Sequence, residues 1–372
     1  MTDILDKVIQ SHEEQIKASL NPRELVSFIL QDLSQREKEV VRARYGLELV
    51  TKETLESIGK KIGITRERVR QIEKIALEKA RATNGLDGKL SDLKSLVAKN
   101  LSQHGNIRLE DSLLEDLLEI SDNQDIDKNC LLFVFVHFLS DHLESLDIVY
   151  TDKAWKLKNK SHGHFEALVN AVKDIFNKSK KTLHLNELEK EVKAAIDEDK
   201  IKELLEGVED YSNALHSCLE VSKHFKKNLF DKWGLINWRS VNPKRMRDKI
   251  YLVLKKDEKP LHYKRIADRI NEESFDKKKA HPPTVHNELI LDERFVLIGR
   301  GIYALIEWGY KPGAISQVIA DILAEAGEPL SKQEIIEEVL KKRMVKEGSI
   351  NLALLDKDLF QKTKDSQFTL KG

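Results

Sequence analysis

The stretch LESIGKKIGITRERVRQIEKIALEKAR, Leu55 to Arg81, limits the fold more than any other part of the chain. Apolar residues recur at helical spacing through Leu55, Ile58 and Ile62. The pattern stops at Gly63 and restarts behind Thr65, with Val69, Ile72 and Ala76 at three- and four-residue steps. Gly63 permits the backbone of a tight turn, and Thr54 and Thr65 are suited to cap the two helices. Two helices joined by a short glycine turn make a helix-turn-helix. Upstream, Ser34 with Glu37 three residues on reads as a capping box. The helix it opens carries Val40, Val41 and Tyr45 and ends at Gly46.

In such a motif the second helix is the one that enters a major groove. Arg66, Glu67, Arg70 and Gln71 share its outward face, opposite Val69, Ile72 and Ala76. Arginine can fork onto guanine, glutamine can pair with adenine, and glutamate can accept from cytosine. Lys60, Lys61, Lys74 and Lys79 would meet phosphates, which set register without reading sequence. A solvated charged face is the plain alternative for a lone helix. Here turn, cap and forked residues coincide with thirteen basic against eight acidic residues over 34–81, a balance of +5, and DNA binding is the stronger reading.

Charge elsewhere is just as uneven. The 372-residue chain has 63 basic and 63 acidic residues, a net charge of zero. Yet 108–152 holds two basic against twelve acidic residues, and 223–256 holds eleven basic against Asp231 and Asp248. The acidic block should be repelled by phosphates and the basic ones attracted. Charge alone also allows the acidic block to fold back onto a basic one.

High charge, few aromatics and long amphipathic runs point to a mainly α, multi-domain chain of tandem helix-turn-helix and winged-helix units with short β-hairpin wings. The expected divisions are a 1–32 N-terminal helical segment, with a break at Leu20-Asn21-Pro22, and a 33–83 helix-turn-helix. They continue as an acidic winged-helix-like unit at 90–160, a second at 163–241, a third at 242–309 and a C-terminal one at 313–372. TNGLDGK (83–89) reads as a linker. KPLHYKRIADRI and EPLSKQEIIEEVL open matching second helices in the last two units. ERFVLIGRGIYALIEW is a hairpin pattern around Gly299-Arg300-Gly301.

LSQREKEVVRARYGLELVTKETLESIGKKIGITRERVRQIEKIALEKAR (33–81) resembles region 4 of bacterial sigma-70 factors, the part that binds the promoter −35 element. The resemblance covers about an eighth of the chain. By position it implies base reading by Arg66, Glu67 and Gln71. It implies backbone contacts at or near Arg36, Arg44, Thr54, Leu55, Arg68 and Arg70, beside Lys74 and Lys79. It also implies docking on the β-flap of core RNA polymerase, with the apolar residues near Val40 and Val41 as candidates, although core packing is their plainer use. Only 32 residues precede the motif, with Phe28 their one aromatic. The resemblance therefore implies −35-like recognition or polymerase contact without the promoter-melting part of an initiation factor.

NPKRMRDKIYLVLKKDEKPLHYKRIADRINEE and HPPTVHNELILDERFVLIGRGIYAL, within 242–308, resemble a HARE-HTH winged helix, as in the delta subunit of RNA polymerase. Secondary nucleic-acid contacts are then expected at Lys244, Arg245, Arg247, Lys277, Lys278, Lys279, Thr284 and His286. Lys277–Lys279 read equally well as a solvated loop.

No catalytic constellation stands out, so no enzyme is expected. Neither a phosphate-binding glycine loop nor a metal-ligand spacing occurs; His162/His164 and His137/His142 lack partners. NELEKEVK (186–193) reads as a solvated helix face, and Trp155, Trp233, Trp238 and Trp308 as hairpin packing. Cys130 and Cys218 are far apart and read as reduced thiols. No cofactor, small-molecule substrate or membrane span is expected. The expected protein is a bacterial, cytoplasmic, nucleoid-associated regulator of transcription whose partners are double-stranded DNA and RNA polymerase core. The alternatives are a polymerase modulator without its own readout, or the recognition subunit of a restriction-type system.

Overall fold

The computed structural model describes residues 20–119, 124–147, 149–160, 163–196, 210–310, 313–356, 358–363 and 365–371. Residues 4–19 of the expected N-terminal helix, and His162, lie outside them. The chain divides into two compact units, 1–226 and 227–372. It is mainly α, with small antiparallel sheets.

The first unit begins with α1 (Pro22–Ile29), capped by the Asn21 side chain with Pro22 in the first turn. In α2 (Gln35–Tyr45) the Ser34–Glu37 capping box is formed, and Gly46 closes the helix at φ +68°. Then follow α3 (Leu55–Ile62), α4 (Arg66–Arg81) and α5 (Leu86–Gln103). Residues 83–89 are not a linker: 83–85 form a tight corner and 86–89 are already the first turn of α5. Thr83 is buried with its hydroxyl directed at the Ile29 carbonyl, and Gly85 turns the chain at φ +78° into α5. Glycine-rich composition marks a turn, and here the turn is packed against α1.

Beyond α5 come β1 (Ile107–Leu109), α6 (Glu110–Leu117), α7 (Gln124–Phe138), β2 (Leu143–Leu146) and β3 (Ala154–Leu157). The strands pair antiparallel in the order β1-β3-β2, with Ile107 opposite Lys156 and Leu143 opposite Leu157. This acidic segment does not stand apart from the helix-turn-helix. One apolar core runs through Leu25, Ile29, Val41 and Ala80 into Leu93, Leu113, Phe133, Val134 and Trp155. α7 lies at its centre. The Tyr45 ring is 4.9 Å from both Phe133 and His137. The Asn129 side chain donates to the Gly46 and Val50 carbonyls, and Arg81 donates to the carbonyl of His137. Burial, with Arg81 beside it, pushes the His137 imidazole down to about 4, so it packs as a neutral ring. The acidic block does pack on the helix-turn-helix, and apolar burial carries the contact; Arg23, ahead of the basic stretch, also pairs with Asp127 at 2.9 Å. The unit continues through α8 (Gly163–Ser179), α9 (Leu185–Ala195) and α10 (Tyr211–Val221) to β4 (Phe225–Lys227).

The second unit holds β5 (Trp233–Leu235), α11 (Met246–Asp257), β6 (Leu261–His262), α12 (Tyr263–Glu272) and α13 (Pro282–Leu291). A hairpin of β7 (Phe295–Gly299) and β8 (Ile302–Leu305) follows, then α14 (Ile315–Ala326), α15 (Lys332–Lys342), α16 (Glu347–Ala353), β9 (Phe360–Lys362) and β10 (Phe368–Leu370). The two matching helix openings do the same physical work. Leu261 pairs with Tyr303 of β8, and Leu330 bridges Phe368 of β10. In each case a short extended segment before the second helix is stitched to the hairpin that follows the third. Trp155 and Trp233 are buried and Trp308 packs half-buried on the apolar core, so these rings serve packing.

Because α7 and α4 share one core, truncation in α7 should be felt in α4. Phe133→Ala, at a 2% exposed site, should cost about 3–5 kcal/mol. In hydrogen exchange, amides of Ala76–Ala80 should lose protection together with those of α7. Unchanged protection in α4 would show that the two pack independently.

Candidate nucleic-acid interface

α3 and α4 are set against each other by a small core of Val40, Ile58, Val69 and Ile72, with Leu55, Ile62 and Ile64 at its edge. The turn between them is built from backbone. Gly63 takes φ +68°, and the Ile64 amide donates to the Gly59 carbonyl at 2.9 Å. A Cβ on Gly59 would lie 2.7 Å from the Ile64 carbonyl oxygen, closer than real side chains come. Only glycine lets the turn fold back this tightly on α3. Thr54 and Thr65 then cap α3 and α4 through their hydroxyls. The first amides of α3, at Leu55 and Glu56, precede the first intrahelical donor and suit an anion.

Val69, Ile72, Ala76 and Ala80 are buried, and Arg66, Glu67, Arg70, Gln71 and Lys74 are exposed on the other side. The outward residues are held in pairs. Arg70 Nε donates to both Glu67 oxygens and Nη2 to Oε1 at 2.7 Å, which keeps the Glu67 carboxyl below the usual range. Arg68 donates to Gln71 Oε1 at 3.1 Å. Lys74 lies 3.9 Å from Glu78. These exposed pairs exchange easily for contacts of better geometry. Glu67, kept anionic, can only accept, as an edge offering an amino group requires.

The flanking positions divide in two. Arg36 is exposed on the first turn of α2. Arg44 and Lys79 are struts. Arg44 donates to the Glu53 carbonyl at 3.0 Å and lies 3.7 Å from Glu73. Lys79 Nζ sits 2.7 Å from Glu37, the capping-box carboxylate, itself 9% exposed. Lys60 pairs with Glu56 and Lys61 with Glu53. Val40 and Val41 are 0% exposed and serve packing, not docking. Beside them a groove of about 410 Å³ opens, lined by Ala43, Leu49, Ile58 and Ile62 with Glu39, Arg42 and Lys61 at its rim.

In the second unit Lys244, Arg245, Lys277, Lys278, Lys279 and Thr284 are exposed. Arg247 is half-buried near Asp292. His286 is half-buried, its ring tilted against Tyr263 at 4.7 Å. Two exposed cations that sequence reading left out, Lys264 and Arg300, flank the contact in which the Tyr263 amide donates to the Gly301 carbonyl of the β7–β8 turn. The matched opening at 259–264 and the hairpin pattern were the signals that could have joined them. Among the described residues, no group of three or more His, Cys, Asp or Glu could hold a metal ion, and no helix is long and apolar enough to cross a membrane.

The Lys79 hydrogen bond, then the Ser34 amide and hydroxyl, outweigh burial and hold Glu37 below its ordinary 4.5. A carboxylate with a depressed folded pKa stabilises above its unfolded pKa and loses that contribution as pH falls through the folded value. Glu37→Gln should therefore melt earlier than the parent at pH 7. The gap should narrow as pH drops below about 4.5. A gap independent of pH in thermal melts would assign the effect to packing.

The comparisons agree with this geometry. Residues 29–82 match the family model for sigma-70, region 4. The RNA polymerase sigma factor SigA of Nostoc sp. is 43% identical over 82 residues, 22% of this chain and 21% of that protein. SigA of Synechocystis sp. is 42% identical over 82 residues, covering 22% and 19%. The sigma factor RpoD of Neisseria gonorrhoeae is 47% identical over 58 residues, covering 16% and 9%. Residues 29–82 are a sigma-70 region 4 domain, in a chain that spans about a fifth of the length of the SigA relatives it matches.

Proposed function

We propose that the protein is a sequence-specific, DNA-binding regulator of transcription that reads −35-like duplex DNA with α4. The observation that carries this is the exposed row Arg66, Glu67, Arg70, Gln71 and Lys74 on a helix held by the Gly59–Ile64 turn. Positive charge draws the duplex in. Arg66 then forks onto guanine, Gln71 pairs with adenine once released from Arg68, and Glu67 accepts from cytosine once released from Arg70. Lys74, Arg36, Arg68 and Arg70, with the Thr54–Leu55 end of α3, hold phosphates and set register. Arg44 and Lys79 support the domain while their charges face the same field.

Contact with RNA polymerase core is the second part of the proposal. The face of α2 that includes Tyr45 is covered by α7, so a docking helix would use the α2–α3 groove, where Leu49 is 67% exposed. An apolar helix with a mixed-charge rim fits that groove. Saturable binding of a labelled β-flap segment, abolished in Leu49→Asp, is the expected result; binding that ignores the substitution speaks against it.

The main test is selection from a random duplex library with full-length protein near physiological salt. A short enriched motif is expected for the parent. Arg66→Ala should lose about 1–3 kcal/mol at one base pair and relax selection there. Equal binding of all sequences by parent and variant would rule out base reading by α4.

A further inference from the structure

We propose that the second unit is a second DNA contact, one that grips the phosphate backbone of a duplex without reading bases, through Lys264, Arg300 and Lys277–Lys279. The proposal is independent of the readout assigned to α4. It starts from the β7–β8 turn. Gly301 takes φ +69°, and a Cβ there would lie 2.7 Å from His262 Nε2 and 3.1 Å from Tyr263 Cδ1. The turn is therefore pressed onto His262 and Tyr263, where the Tyr263 amide donates to the Gly301 carbonyl at 2.9 Å, and the chain neighbours of that contact are Arg300 and Lys264. The Tyr263 ring also meets His286 of α13 at 4.7 Å, tilted by 48°, so α13 packs against the start of α12 beside this turn.

The loop from α12 to α13 delivers three more cations to the start of that helix. Its ends are clamped by Asn271, whose side chain donates to the Ala280 carbonyl at 3.0 Å and accepts from the Ala280 amide at 2.7 Å. Its acid, Asp276, pairs at 2.8 Å with Lys249, which is 3% exposed. With that carboxylate taken up by a buried lysine, Lys277, Lys278 and Lys279 stand exposed. The acids of α12 are similarly engaged, Glu272 by Arg265 and Arg269, and Glu273 by Lys256 and Arg269. None of the five cations forms a salt bridge among the described residues. Against them on α12 and α13 stand Asp268 and Glu288, and the positive end of the α13 dipole adds to the cations.

The edge is built for phosphates rather than bases. α13 reads PPTVHNELIL, with no arginine, lysine or glutamine, and its last outward residues Ile290 and Leu291 are 63% and 78% exposed. Asn287 is its one exposed amide, and it lacks the arginine forks that α4 carries. His262, Tyr263 and His286 pack as tilted rings at 4.5 and 4.7 Å and are half-buried, so they offer unpaired bases no open stacking platform. A duplex backbone, which needs only placed positive charge, is the ligand that fits.

The test is the salt dependence of full-length protein binding to a short duplex of arbitrary sequence, read by fluorescence anisotropy. The parent is compared with Lys264→Ala/Arg300→Ala, with Lys277→Gln/Lys278→Gln/Lys279→Gln, and with all five together. All five sites are exposed, and thermal melts matching the parent confirm folding. Every phosphate no longer neutralised should flatten the slope of log K against log salt by roughly 0.9, so the five-site variant should be flatter by up to about 4.5. Its selected motif should stay that of the parent, whereas Arg66→Ala/Gln71→Ala should keep the five-cation share of the slope. A five-site variant with the parental slope overturns the proposal, and so does a five-site variant whose selected motif changes.

Discussion

The placement of α4 rests on the contact between Gly59 and the Ile64 carbonyl. At that distance no side chain fits, so the turn can close only through backbone. Once it is closed, the Thr65 cap starts α4 in a fixed direction, and the Val69–Ile72 face must meet Val40 and Ile58. The same rotation turns Arg66, Glu67 and Gln71 outward. Readout geometry here follows from packing geometry, because a helix has one phase and cannot bury one face without presenting the other.

A small helix-turn-helix core of this kind is marginal by itself. Here α7 extends it. Phe133, His137 and Asn129 fasten onto α2, its closing turn and the end of α4. The most acidic stretch of the chain is thereby joined to a basic domain through apolar contact, on the side of α2 and α4 away from the reading face. The exposed row of Arg66, Glu67, Arg70, Gln71 and Lys74 is thereby left uncovered by α7.

Local features were legible in the sequence. Ser34, Thr54 and Thr65 cap the helices they were expected to cap, and Gly46 and Gly63 turn where the apolar period stops. Each depends on a few neighbouring residues, so composition carries the signal. What depends on distant contacts was not legible. Nothing near Phe133 announces Tyr45, eighty-eight positions earlier, and nothing in TNGLDGK shows that Thr83 is buried against α1. The outward row on α4 could be read from helical phase, but not its internal pairing, nor the use of Lys79 as a strut for Glu37. Lys264 and Arg300 were missed for the same reason: only the folded hairpin sets their chain neighbours, Tyr263 and Gly301, in contact.

The central claim is that Arg66 reads a base edge. The most direct measurement is a thermodynamic cycle on the selected site, pairing Arg66→Ala with replacement of the contacted guanine by 7-deazaguanine, which lacks the N7 acceptor. If Arg66 forks onto that guanine, either change should weaken binding, and the second should cost little once the first is made. Two losses that simply add would show that Arg66 acts elsewhere and that α4 does not read the site in this way.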